Sequence, residues 1–283
     1  VSFEPIPFTP KSPELQKHIS YFYFLSTDDN FDTSYYAFPH VNTVLNIHQR
    51  ANFEIKDYYT RVYGDTQTRY AACVQGIREY PLLAHLHGRL NKVTILFRPL
   101  GINQFGIENF GAKYGQPSMV FNSWDTNPLY HDFLAAFYNT ESITSRCEIL
   151  ETFLLKIYQP IAAHTALFKA IEMLNDVEND ISVDEISTEL GYNIRTFNRV
   201  FKKALGVSPV AYRKVARFRH SLQNRMLSAS LKKLTDIAYQ SNYYDQAYFN
   251  KIYRSLTGTN PQRFFDKIDS FADDRLIFEF MTR

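Results

Sequence analysis

Cys73 and Cys147 are the only cysteines among 283 residues. Two thiols build neither a disulfide framework nor a cysteine-rich zinc cluster, so a reducing compartment suits the chain. No stretch approaches the ~20 consecutive apolar residues of a membrane-spanning helix, and Val1 to Leu15 holds no apolar segment of signal-peptide length. These gaps predict a cytoplasmic protein with no membrane partner. The absence of an initiator Met predicts a processed or trimmed chain. No nucleophile–base constellation is visible either, which predicts no catalytic residues, no cofactor and no enzyme. Apolar residues are plentiful at 45%, too many for a disordered chain, and the length predicts two domains.

Acidic residues are scarce in one place only. Between Gly191 and Ile268 there are three, Asp236, Asp245 and Asp266, against 15 Lys and Arg, a net charge of +12. The rest of the chain carries 16 basic and 26 acidic residues, net −10. Such asymmetry predicts a polyanionic partner for one segment alone; its bland counterpart is a solvated basic face.

Residues 20–100 alternate short aromatic and β-branched runs, such as Tyr21–Leu25, Val41–Ile47 and Lys92–Phe97, with turn clusters at Thr27–Asn30 and Gly64–Asp65. That pattern predicts a sandwich or barrel. After Asn122 the period becomes helical. Leu129, Phe133 and Phe137 recur every four residues, and Ile143, Cys147, Leu150, Leu154 and Ile157 form a heptad-like seam. This seam either pairs with a second copy in a dimer interface or packs on the chain's own barrel. Pro160 cannot continue a helix, which places a boundary near 160–165 and predicts domains at 1–162 and 163–268 with an extension at 269–283.

From Ala166 the chain reads as wholly helical. Ser182 and Glu185 have the spacing of a capping box, Gly191 stops that helix, and further helices are expected from about Asn193, from Pro209, over Leu234–Ser241, over Asp245–Leu256 and from Pro261. An internal repeat organises this segment. Gly191–Pro209 recurs as Asn242–Pro261, with Phe197, Asn198, Arg199, Phe201 and Lys202 matched by Phe249, Asn250, Lys251, Tyr253 and Arg254. Each copy reads as helix, turn and helix, the second helix apolar on one side and basic on the other. A helix laid in a major groove needs those two faces.

Ile237–Ala238, Tyr243–Phe249 and Gly258–Pro261, with Phe201–Pro209 as the first-unit counterpart, closely resemble the DNA-binding domain of the AraC family of bacterial regulators over about residues 165–268. Asn242 replaces the usual turn glycine, and Asn tolerates the left-handed conformation. The resemblance implies two helix-turn-helix units joined by a long helix, gripping successive major grooves of double-stranded DNA. It implies base contacts by Arg195, Asn198 and Arg199 from the first unit and by Gln246, Asn250 and Lys251 from the second. Phosphate contacts fall to Lys202, Lys203, Arg213, Arg254 and Arg263, while Arg217 suits a structural ion pair. RNA polymerase, a small-molecule effector of unknown identity and a second copy of the chain are the further partners implied.

Ser12–Leu15, Tyr21–Phe24, Phe38–His40 and Phe97–Gly101 resemble an N-terminal domain of one branch of AraC-type regulators. The implied fold class is α+β, with an N-terminal cupin-like β-barrel and helices before the C-terminal all-α domain. The implied function is sequence-specific transcriptional regulation, as an effector-responsive activator. Two alternatives stand beside it: control by a protein partner, or a cupin-type metalloenzyme joined to a DNA-binding module. His85 and His87 form an H-x-H pair, but Gly88–Lys92 contains no carboxylate, so no metal site is expected. Leu276–Met281 is too apolar for a solvated tail and is expected to dock on the N-terminal domain, on a second copy or on its own domain.

Overall fold

A computed structural model of the chain describes residues 6–227, 245–268 and 278–280. Two five-stranded sheets form the body of the N-terminal part. In the first, β1 (Ile19–Ser26), β8 (Asn91–Phe97), β3 (Thr43–Gln49), β6 (Tyr70–Gln75) and β9 (Ser118–Val120) lie in that order, all antiparallel. The second runs β10 (Phe278–Phe280), β2 (Asp32–Ala37), β7 (Leu82–His87), β5 (Tyr59–Gly64) and β4 (Ala51–Lys56), parallel only between β5 and β7. The runs around Tyr21, Val44 and Lys92 expected as strands fall in β1, β3 and β8.

Alternation along each strand sorts side chains between faces. On β7, Leu82, Ala84 and Leu86 are buried between the sheets, whereas Leu83, His85 and His87 occupy the outer face. β8 is buried on both faces. Its Val93, Ile95 and Phe97 lie under two helices, α3 (Pro128–Tyr138) and α4 (Ile143–Ile157), which follow the one-turn helices α1 (Pro13–Gln16) and α2 (Phe110–Lys113). Lys92, Thr94 and Leu96 turn the other way, into the space between the sheets.

Cys147, Leu150, Leu154 and Ile157 are buried in the core beneath α4, while Ile143 is exposed. This corrects the dimer-interface reading of that seam. Its apolar stripe is taken up by the chain's own α3 and sheet, because one helix covering a sheet has one stripe to bury. Phe133 and Phe153 stack there with centroids 4.5 Å apart.

The C-terminal part holds α5 (Thr165–Asn175), α6 (Val183–Glu189), α7 (Ile194–Leu205), α8 (Pro209–Leu227), α9 (Gln246–Thr257) and α10 (Pro261–Ile268). Ser182 and Glu185 close a reciprocal capping box at the start of α6. The helix expected over Leu234–Ser241, and Asn242, lie outside the described residues. One core cluster joins α5 to α10 through Leu167, Ile186, Phe197, Phe201, Tyr212, Phe218, Tyr253 and Phe264.

Phe38, Ile77 and Leu100 of the N-terminal part belong to that same cluster. Phe38 meets Phe264 edge-on with ring centroids 4.8 Å apart. Asn103 Nδ2 donates to the Ala204 carbonyl at the end of α7, 3.1 Å away, and Lys214 pairs with Glu79 at 3.1 Å. At Gly111 the backbones approach so closely that a methyl there would lie 2.0 Å from the Gly206 amide nitrogen. The tail also returns to the N-terminal part. Phe278, Glu279 and Phe280 pair antiparallel with Ala37, Tyr36 and Tyr35 on the edge of the second sheet, the first of the three dockings expected for it.

Candidate nucleic-acid interface

The repeat in the sequence is a repeat in space. α7 and α9 are 12 residues each. Each opens on a side-chain cap: Asn193 accepts from the Thr196 amide, Asp245 from the Tyr248 amide. Each ends on a glycine in the left-handed conformation, Gly206 at φ 87° and Gly258 at φ 76°, where a side chain would be strained. Three residues on, a proline opens the next helix, where its missing N–H costs nothing.

The two helices distribute side chains alike. Phe197 and Phe201 on α7, and Phe249 and Tyr253 on α9, are fully buried. Tyr253 and Ser221 share a hydrogen bond that ties α9 to α8. The remaining faces are polar and basic. Arg195, Arg199, Lys202 and Lys203 are exposed on α7; Gln246, Lys251 and Arg254 are exposed on α9; Arg263 is exposed on α10. A 12-residue helix of this kind presents about three turns, enough to lay its first half along base edges.

Three expected contact residues behave differently. Asn198 is half-buried and its Nδ2 donates to the Ile194 carbonyl at 2.8 Å, so it must release its own helix to read an adenine. Asn250 is also half-buried. Arg213 needs correction as a phosphate ligand. It donates to the Ile181 carbonyl and pairs with Asp180 at 3.6 Å, and burial, with Arg217 beside it, lowers its pKa. The reason is local: Asp180, at φ 27°, aims one carboxylate at both Arg213 and Arg217. Arg217 therefore has the ion pair expected of it.

A family model described as a helix-turn-helix domain matches residues 186–267, a span that runs from within α6 through α9 and most of α10. Residues 186–267 form an AraC-type helix-turn-helix domain. The chain is 26% identical over 174 residues to the uncharacterized HTH-type transcriptional regulator YtdP of Bacillus subtilis, covering 61% of this chain and 20% of that protein. It is 32% identical over 85 residues to the HTH-type transcriptional regulator ExsA of Pseudomonas aeruginosa, covering 30% of each. The chain thus spans less than a third of either relative. Among solved structures, ToxT from Vibrio cholerae is similar over 87% of this chain and 97% of its own, at 14% identity and a TM-score of 0.46. A ToxT structure with an unsaturated fatty acid bound is similar over 86% of this chain and 93% of its own, at 13% identity and a TM-score of 0.43.

Outside the AraC-type domain, the sequence reading missed a polar cluster sealed between the sheets. Lys92 lies 2% exposed beside His48, in register across β8 and β3, with Cys73 on β6 nearby. Its ammonium sits 3.4 Å from Asn46 Oδ1 and over the Tyr23 ring, and among the described residues no ion pair joins it to a carboxylate. Burial pushes its pKa down to about 8 and that of the Cys73 thiol up to about 12. Both His48 nitrogens are buried without a hydrogen-bond partner, and burial holds its pKa well below the ordinary range. A buried, unpaired ammonium is costly to keep, and groups so perturbed cluster at functional sites. The signal was present in the sequence: Lys92 shares its strand phase with Thr94 and Leu96, in a strand with no polar outer face.

Proposed function

We propose that this chain is a sequence-specific transcription regulator that lays α7 and α9 in successive major grooves of one DNA site. The supporting observation is the pairing of two equally capped helices, each buried through aromatics on one side and presenting Arg, Lys, Gln or Asn on the other. Arg195, Arg199, Gln246 and Lys251 read bases, with Asn198 and Asn250 joining when they turn outward. Lys202, Lys203, Arg254 and Arg263 hold phosphates and set affinity without sequence choice. The division into a regulatory part at 1–162, a DNA-binding part at 163–268 and a tail belongs to the same reading. So do action as an activator through RNA polymerase, the absence of enzymatic activity and a cytoplasmic location.

Within this reading the N-terminal part senses an effector, and the cluster of Lys92 and His48 supports that role. An acceptor-rich or anionic group would satisfy the ammonium and the imidazole together, which gives such a ligand a reason to stabilise the native state. The test of the DNA-binding claim is selection of bound sequences from random duplex DNA, followed by a salt titration on the selected site. Affinity is expected to fall log-linearly with salt, with a slope of about −0.9 per phosphate contact. Absence of duplex binding by the full chain even at low salt would overturn the reading.

A further inference from the structure

Asp32, His85 and His87 lie on the outer face of the second sheet, away from both the AraC-type domain and the interior cluster. The carboxylate that the sequence lacks after His87 arrives from the neighbouring strand instead. β2 pairs antiparallel with β7 so that Asp32 stands directly opposite His87. Side chains two apart on a strand share a face, which puts His85 beside His87. Asp32 then divides its two oxygens between them: Oδ1 is 3.1 Å from His85 Nε2, and Oδ2 is 3.3 Å from His87 Nδ1.

We propose that these three side chains bind one divalent transition-metal ion of the zinc type. Donor atoms from all three residues lie within 4.8 Å of one another. Zinc bonds to nitrogen and oxygen are about 2.0–2.2 Å, so tetrahedral ligands stand roughly 3.3 Å apart. The two Asp–His spacings, 3.1 and 3.3 Å to separate carboxylate oxygens, lie close to that value. The His–His spacing closes by rotation of the more exposed His87 ring toward His85. His85 also has the arrangement expected of a metal-ligating histidine: with Nε2 toward the carboxylate, its Nδ1 lies 3.4 Å from Tyr59 Oη on the adjoining β5, which fixes the ring.

Two imidazoles and one carboxylate favour zinc and its first-row neighbours over calcium or magnesium, which prefer oxygen donors. The set leaves at least one coordination position for water or an exogenous ligand. His87 also borders a cleft of about 580 Å³, with Asp29, Arg50, Asp65 and Arg89 on its walls, so solvent reaches the ion. Arg61 is the opposing charge: it lies in register with His85 on β5, with Glu54 opposite it on β4. Its repulsion limits affinity without blocking the donors. A bound ion would cross-link β2 to β7, and β2 is the strand on which the C-terminal β10 is paired.

The test uses the untagged full chain, stripped with chelator and titrated with Zn²⁺ by calorimetry and with Co²⁺ by visible absorption. One ion per chain is expected, with cobalt bands of a low-symmetry nitrogen–oxygen site and a zinc-dependent rise in melting temperature. His85→Ala and Asp32→Ala should each weaken binding at least tenfold and abolish the thermal shift, while their metal-free melting stays near that of the parent. His131→Ala, an exposed histidine elsewhere, should change nothing. No saturable binding by the parent chain, or equal affinity in parent, His85→Ala and Asp32→Ala, would overturn the proposal.

Discussion

At the scale of single residues, charge and burial separate tasks that residue type alone does not. Arg199 and Lys203 lie on one helix and both are exposed, yet they should fail differently. A guanidinium can fork onto a guanine edge, whereas an ammonium meets phosphate as a point charge. Arg199→Ala is expected to cost ~1–3 kcal/mol at one base position and to relax preference there. Lys203→Ala should weaken every sequence alike and make the salt slope shallower by about one contact. Affinities for a panel of single-base operator variants decide it, and uniform weakening by Arg199→Ala would move that residue to the phosphate class.

Lys92 gives a second test at this scale. Its folded pKa of about 8 lies below the ordinary 10.5, so between those values the unfolded chain holds the proton more tightly than the native chain. Stability from this group is therefore complete above about 10.5 and is lost as pH falls through about 8. At neutral pH the buried ammonium is a burden, and Lys92→Met should raise the melting temperature. The difference from the parent should shrink as pH climbs toward the ordinary lysine range. Comparing the two proteins cancels tyrosine and cysteine titration in the same window. A melting difference independent of pH would show that Lys92 is not the titrating group.

At the scale of elements, the repeated helix depends on its terminators. α7 and α9 end in left-handed glycines that let the chain turn directly into α8 and α10. A methyl at Gly258 meets no atom within 4 Å, so its effect is purely conformational. Gly258→Ala is expected to destabilise by about 1 kcal/mol through the strained φ, with the loss visible in denaturant midpoint at unchanged slope. The same element view accounts for α4, whose heptad spacing could serve a partner or a sheet. Helix spacing identifies a stripe and leaves its occupant open.

Across the whole molecule, the AraC-type domain is held to the sheets at several places. The Phe38–Phe264 contact, the Asn103–Ala204 hydrogen bond and the close approach at Gly111 act near α7 and α10. The tail adds a strand at the β2 edge of the second sheet. Removal of residues 270–283 should expose the β2 edge and raise amide exchange over Tyr35–Ala37, with exchange in β3 and β8 unchanged. Equal protection with and without the tail would mean that β10 contributes no stability in solution.

Much of this was legible in the sequence because it is carried by local rules. Ser182 with Glu185 specified a capping box, Gly206 with Pro209 and Gly258 with Pro261 specified two identical helix endings, and the alternation around Tyr21, Val44 and Lys92 specified strands. The repeat of aromatics and cations made the candidate DNA-reading faces visible for the same reason: period 3.6 sorts a helix into sides whatever it later packs against. Tertiary structure alone decided the rest, because it turns on which strands become neighbours. Asp32 reaches His87 only because β2 pairs with β7. Lys92 is sealed inside only because the second sheet packs over its face of β8, and Arg213 is drawn from the candidate DNA-reading surface only because Asp180 is folded over it. Long-range pairing has no short-range signature, so those assignments belong to the fold.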